Sequence, residues 1–168
     1  MIVKGEGKGA ASSYATLLLQ LLACDESSTS ALFLEATLLH HEIVCKGLSH
    51  NTLLLNLLIR IYGSCGSPST SLSLFSQLPN PNQHSWNFII SGCTQHHRAR
   101  ESLELFYLML NEGLIHPDKF TFANVLAATS TLECFHEGRN IHIATTNAGL
   151  ESDVFVMSAL VNMYGKCG

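Results

Sequence analysis

The segment Leu53-Leu-Leu-Asn-Leu-Leu-Ile-Arg-Ile-Tyr-Gly-Ser-Cys-Gly66 recurs as Phe155-Val-Met-Ser-Ala-Leu-Val-Asn-Met-Tyr-Gly-Lys-Cys-Gly168, 102 residues further on. The same offset relates Gly47-Leu48 to Gly149-Leu150 and His40 to His142. Three stretches sharing one offset mark an internal repeat, which constrains the fold more than any local signal. The long period subdivides: Leu58 maps to Ile89 at 31 residues, Ile89 to Val125 at 36, and Val125 to Leu160 at 35. The first unit is longer, with 41 residues from Leu17 to Leu58. Its surplus falls in the polar stretch Asp25-Glu-Ser-Ser-Thr-Ser30, which reads as a loop inserted between two helices.

Each unit reads as a pair of helices. In the best-formed one, Ser85 to Gln95 places Trp86, Ile89 and Ile90 on one face. His96-His97 marks a turn, and Arg98 to Glu112 gives a second helix with Leu103, Phe106, Tyr107 and Leu110 at helical spacing. Gly113 supplies a C-terminal cap, and Pro117-Asp118 ends one unit and starts the next. Gly149 precedes Asp153 and Gly47 precedes Asn51 in the same way. Helix pairs this short cannot bury their apolar faces alone, so neighbours must stack.

Composition sets outer bounds. Of 168 residues, 46% are hydrophobic and 13% charged, which excludes a disordered tail. The net charge of −4 lacks the basic excess usual in nucleic-acid binders. Six cysteines, no two closer than 20 residues, form no C-x-x-C pair and read as reduced thiols. The most apolar run, Leu53 to Tyr62, is shorter than the ~20 residues a bilayer requires and is broken by Asn56 and Arg60. Met1 to Ser13 has neither the arginines of an organelle transit peptide nor the apolar core of a secretory signal.

The wording of the units then carries a family resemblance. Ser85-Trp-Asn-Phe-Ile-Ile-Ser-Gly92, Leu103-Glu-Leu-Phe106 with Met109, and His116-Pro-Asp-Lys-Phe-Thr-Phe122 resemble plant pentatricopeptide repeats. Glu137-Gly-Arg-Asn-Ile-His142, Gly149-Leu-Glu-Ser-Asp-Val-Phe155 and Met163-Tyr-Gly-Lys-Cys-Gly168 do so as well. The mixed unit lengths resemble the plant PLS subgroup, which alternates long, short and standard repeats. The resemblance implies an all-α, right-handed α-solenoid of helix–turn–helix repeats. It implies an unstructured stretch at 1–10, a divergent long repeat at 11–51, a short one at 52–82, a standard one at 83–118 and a long one at 119–153. A short repeat starts at 154 and stops after its first helix, so the chain reads as truncated at 168. With no helix to follow it, Phe155, Leu160 and Met163 are expected to lack cover and the last helix to fray.

In this family the first helices line a groove that follows single-stranded RNA, and a repeat reads about one base through its fifth and last residues. Carried over, the standard repeat offers Asn87 with Asp118, a pair that favours uracil in the family. An amide both donates and accepts along a pyrimidine edge, and a neighbouring carboxylate fixes its orientation. The short repeat offers Asn56 with Asn82, a pyrimidine pair. The long repeats give Ala15 with Asn51 and Ala123 with Asp153, and alanine has nothing to bond with. Ser158 stands at the reading position of the last repeat.

Plainer readings stand beside these. Asn56 and Asn87 fit a solvated helix face, and Asp118 and Asp153 fit helix N-caps. Trp86, Phe122 and Tyr14 share one repeat position and read as core. His40-His41 and His96-His97 are adjacent in sequence and so point in different directions, which argues against chelation; His40 and His142 read as packing groups. No metal, cofactor or catalytic site is expected.

The expected function is sequence-selective binding of an organellar single-stranded transcript, in a mitochondrion or chloroplast, with editing or processing proteins as partners and neither membrane nor DNA. C-to-U editing chemistry needs a zinc deaminase carrying both H-x-E and P-C-x-x-C elements, a pair this chain does not hold, so its part is recognition without catalysis. The alternatives are a protein–protein scaffold, which the acidic balance favours, and a non-functional truncated product.

Overall fold

A computed structural model describes residues 6–23 and 29–167, with side chains from residue 9 onward. These residues form helices α1 (Glu6–Ala23), α2 (Thr29–Cys45), α3 (Thr52–Ser64), α4 (Pro68–Ser76), α5 (Gln83–Gln95), α6 (Ala99–Glu112), α7 (Lys119–Leu132), α8 (Phe135–Asn147) and α9 (Val154–Cys167). Among the described residues there is no strand, in keeping with the all-helical expectation. The loop expected at Asp25 to Ser30 lies mostly outside the described residues.

Two compact units divide the chain, Met1–Pro81 and Asn82–Gly168. In the first, α1 packs on α2 and α3, α2 on α3, and α3 on α4. Leu18, Ala36, Ile43, Leu54, Leu58 and Ile61 are fully buried there. In the second, the odd-numbered helices meet in succession: α5 packs on α7 and α7 on α9. Helices α6 and α8 fill in behind, α6 against α5 and α7, α8 against α7 and α9. Trp86 and Phe122, expected in the core, are buried, and Phe106 meets Phe122 edge-on at 5.9 Å between centroids. Burying side chains of this size stabilises by about 2 kcal/mol each.

The punctuation follows the sequence. Gly47, Gly113 and Gly149 take φ between 63° and 69°, the left-handed conformation in which a residue without Cβ ends a helix at least cost. The His96-His97 turn is made without glycine, and His97 itself adopts φ 59°. Asn51, Asn82 and Asp118 cap α3, α5 and α7 through their side chains.

Two expectations need correction. Helix α1 begins at Glu6, so residues 6–10 of the stretch expected to lack structure are helical. Ala10-Ala11 and the leucines beyond propagate the helix back through Gly7 and Gly9, since extension costs far less than nucleation. Leu160 and Met163 on α9 are buried, at 8% and 0% exposed, against the preceding helices rather than bare. Only the opposite face is open, with Val154, Phe155 and Val161 exposed. Gly138 on α8 explains the close approach: a Cβ there would collide with the Met163 thioether.

One cluster occurs twice at the 102-residue offset. In the first unit, Phe33 meets Tyr62 edge-on at 5.8 Å and His40 Nδ1 lies 3.2 Å from the Tyr62 hydroxyl. In the second, Phe135 meets Tyr164 edge-on at 6.0 Å and His142 Nδ1 lies 2.8 Å from the Tyr164 hydroxyl. The packing role expected of His40 and His142 is therefore met inside each unit. Burial lowers the His40 pKa below the usual imidazole value.

Candidate nucleic-acid interface

The junction between α5 and α7 gathers four polar side chains into one network. Asp118, the N-cap of α7, accepts from the Phe120 and Thr121 backbone N–H groups at 3.0 and 2.9 Å. Its two carboxylate oxygens also accept from Asn87 Nδ2, at 3.1 and 3.0 Å. The Thr121 hydroxyl lies 2.6 Å from Asn87 Oδ1 and 3.0 Å from Asp118 Oδ1, and its single proton suits the shorter bond. The Thr121 oxygen accepts from the Asp118 N–H at 3.2 Å and from Gln83 Nε2 at 3.3 Å.

This arrangement decides which way the Asn87 amide points. A carboxylate favours the NH2 end toward Asp118, and the Thr121 proton favours the oxygen toward Thr121. One N–H and one oxygen lone pair remain on a half-buried side chain. Asn87 and Asp118, which the family resemblance pairs, are in direct hydrogen-bond contact. Thr121 and Gln83 were not singled out there. Asp118-x-x-Thr121 has capping-box spacing, which signals a helix start and says nothing of Asn87.

The other expected residues are placed differently. Asn82 caps α5, its oxygen accepting from the Ser85 N–H at 3.0 Å and from the Ser85 hydroxyl at 3.1 Å. Asn56 sits on α3, only 5% exposed. Asp153 accepts from the Phe155 and Val156 N–H groups at 2.9 and 3.4 Å, at the start of α9. It faces Lys119 Nζ at 3.8 Å, and Ala123 occupies the place that Asn87 holds in the preceding repeat. The Lys119 ammonium lies 5.4 Å from the Phe120 ring centroid and 5.1 Å from that of Phe155, two exposed aromatics. Ser158 is exposed on α9, and Asn51 caps α3 at 3.2 Å from the Leu54 nitrogen.

Little elsewhere has the makings of a reactive centre. An open pocket of about 360 Å³ is lined in part by Arg100, Glu104, Tyr107 and Glu137. There the Tyr107 hydroxyl donates to Glu137 at 2.5 Å, and burial with that carboxylate pushes its pKa up to about 12. Burial pushes the Cys93 thiol up to about 11, away from thiolate chemistry. His40-His41-Glu42 spells H-x-E on α2, without a P-C-x-x-C partner in the chain. Among the described residues, no three His, Cys, Asp or Glu side chains cluster as metal ligands would.

Comparison with known proteins agrees with this architecture. The PPR repeat family model matches residues 54–80 and 84–114. A pentatricopeptide repeat-containing protein of Arabidopsis thaliana is 40% identical over 130 residues, covering 77% of this chain and 19% of the relative. Another from the same plant, named as chloroplastic, is 36% identical over 154 residues, covering 91% of this chain and 24% of its own length. The chain thus spans about a fifth to a quarter of these curated relatives. Its fold also matches the crystal structure of the maize pentatricopeptide repeat protein PPR10 in complex with an 18-nt psaJ RNA element, with a TM-score of 0.71 and 22% identity over 90% of this chain and 22% of that one. The fold is that of a helical-repeat protein. Residues 54–80 and 84–114 carry pentatricopeptide repeats, and the chain is similar to plant proteins named for them.

Proposed function

We propose that this chain binds single-stranded RNA selectively, with Asn87 as its principal base-reading residue. The observation that carries this reading is the Asn87 amide, held at both ends by Asp118 and Thr121 with one donor and one acceptor left over. Uracil offers a carbonyl acceptor beside the N3–H donor, which a fixed amide matches in one order only. The maize neighbour's complex with RNA supports the reading, as does the pentatricopeptide wording of residues 54–80 and 84–114.

In this proposal the repeats run 11–51, 52–82, 83–118, 119–153 and from 154 onward, in the alternating pattern of the PLS subgroup. Repeat register assigns Asn56 and Asn82 to a second, weaker reader; Asp153 and Ser158 contribute near the α7–α9 junction, where Ala123 reads nothing. The setting is a plant organelle, suggested by relatives named as chloroplastic, and the role is recognition in RNA processing or C-to-U editing rather than catalysis.

The test is fluorescence anisotropy of the purified chain with labelled oligouridine at low salt. Asn87→Ala is expected to weaken binding about tenfold, the value of a lost base contact of ~1.4 kcal/mol. An unchanged affinity would remove Asn87 from the proposal. A scaffold role is favoured by the net charge of −4 and by Leu34 and Leu38 standing 60% exposed on α2. No RNA binding even at low salt, with a helical spectrum intact, would favour that role.

A further inference from the structure

We infer that Thr121 is a specificity-determining positioning residue, whose hydroxyl fixes the hydrogen-bonding order that Asn87 presents to a pyrimidine. The inference deepens the proposed function and rests on it.

An asparagine amide rotated by half a turn exchanges its donor and its acceptor. Uracil shows an acceptor at O4 and a donor at N3, whereas cytosine shows a donor at N4 and an acceptor at N3. A freely flipping amide therefore suits either base, and a held one distinguishes them. Asp118 restrains the NH2 end alone. Thr121 restrains the carbonyl end with the shortest bond of the network, 2.6 Å, from a position 0% exposed. The hydroxyl is steered in turn: the Asp118 N–H and Gln83 Nε2 point at its oxygen, so its proton is directed away from them, toward Asn87.

A second observation separates this role from helix capping. The next junction has the same aspartate cap, yet Val156 stands where Thr121 stands and Ala123 where Asn87 stands. Helix α9 starts there without any hydroxyl at that position. The same pairing holds in sequence register, where Ser85 follows Asn56 and Leu54 follows Ala15. A third-position hydroxyl goes with an asparagine at the preceding reading position, and an aliphatic side chain goes with alanine.

The experiment compares affinities of the full chain for oligouridine and oligocytidine of equal length, at one low salt concentration. Thr121→Val is close to isosteric, and Val156 shows that the position tolerates it. The uridine-over-cytidine preference is expected to fall about fivefold in Thr121→Val, the scale of one neutral hydrogen bond. Thr121→Ser, which keeps the hydroxyl, is expected to retain the preference. Exchange of the Asn87 side-chain amide protons, read by NMR without RNA, is expected to quicken in the valine variant only. If Asn87→Ala erases the preference while Thr121→Val leaves both it and the amide exchange unchanged, the role of Thr121 is refuted and the base-reading proposal stands. If Asn87→Ala changes nothing, or the wild type prefers neither base, the base-reading proposal falls and takes this inference with it.

Discussion

The two junctions of the second unit share a cap and differ in everything around it. At the α5–α7 junction, Asp118 caps a helix, orients Asn87 and shares Thr121 with it. At the α7–α9 junction, Asp153 caps a helix and faces Lys119 across 3.8 Å, with Ala123 and Val156 in the matching places. The contrast teaches that a helix cap holds a side-chain amide in a fixed network only when two polar side chains are added to it. The aspartate alone carries structure.

The largest expected effect would separate the two aspartates. Loss of an N-cap costs about 1 kcal/mol, so Asp153→Ala should lower unfolding free energy by roughly that amount. Asp118→Ala removes a cap and also strips the half-buried Asn87 amide of its acceptor, for a total of about 2 kcal/mol. Urea denaturation followed by circular dichroism measures both, and equal losses would dissolve the distinction.

A smaller effect would convert one junction into the other. Ala123→Asn with Val156→Thr supplies the missing pair, and uridine affinity should then rise about threefold, less than a full base contact because two new side chains must be ordered. The single change Ala123→Asn should gain less than the double. A loss of affinity in the double variant, measured by anisotropy, would show that the α7–α9 junction is not built on the same plan.

The smallest effect concerns Lys119. Its contact with Asp153 is partly exposed and long, so Lys119→Ala should change stability by less than about 0.5 kcal/mol. A greater loss would mean that the stacking on Phe120 and Phe155 holds α7 to α9, which denaturation of Phe155→Ala would confirm or deny.

Much of this contrast was legible beforehand. Trp86, Ile89 and Ile90 announced the buried face of α5 by spacing, and Gly113 with Asp118 announced where one helix ends and the next begins. The Asn87–Asp118 pairing came from the family resemblance, because a contact across 31 residues is beyond local pattern. Thr121 stayed hidden because its spacing from Asp118 signals a helix start and says nothing of an amide 34 residues away. The cover over Leu160 and Met163 stayed hidden for another reason: expecting a following helix overlooks how much a preceding one buries, and Gly138 shows only in three dimensions what it admits.

The doubled Phe–His–Tyr cluster gives the molecule an internal standard. Tyr62 and Tyr164 meet the same two kinds of partner, although Tyr62 is buried and Tyr164 only partly so. The first copy also answers to mild acid. The folded state binds the His40 proton less readily than the unfolded chain does, so its contribution is present above the ordinary imidazole value of about 6.5 and is lost as pH falls below it. Acid-dependent melting that disappears in His40→Gln would locate the sensitivity in the first copy.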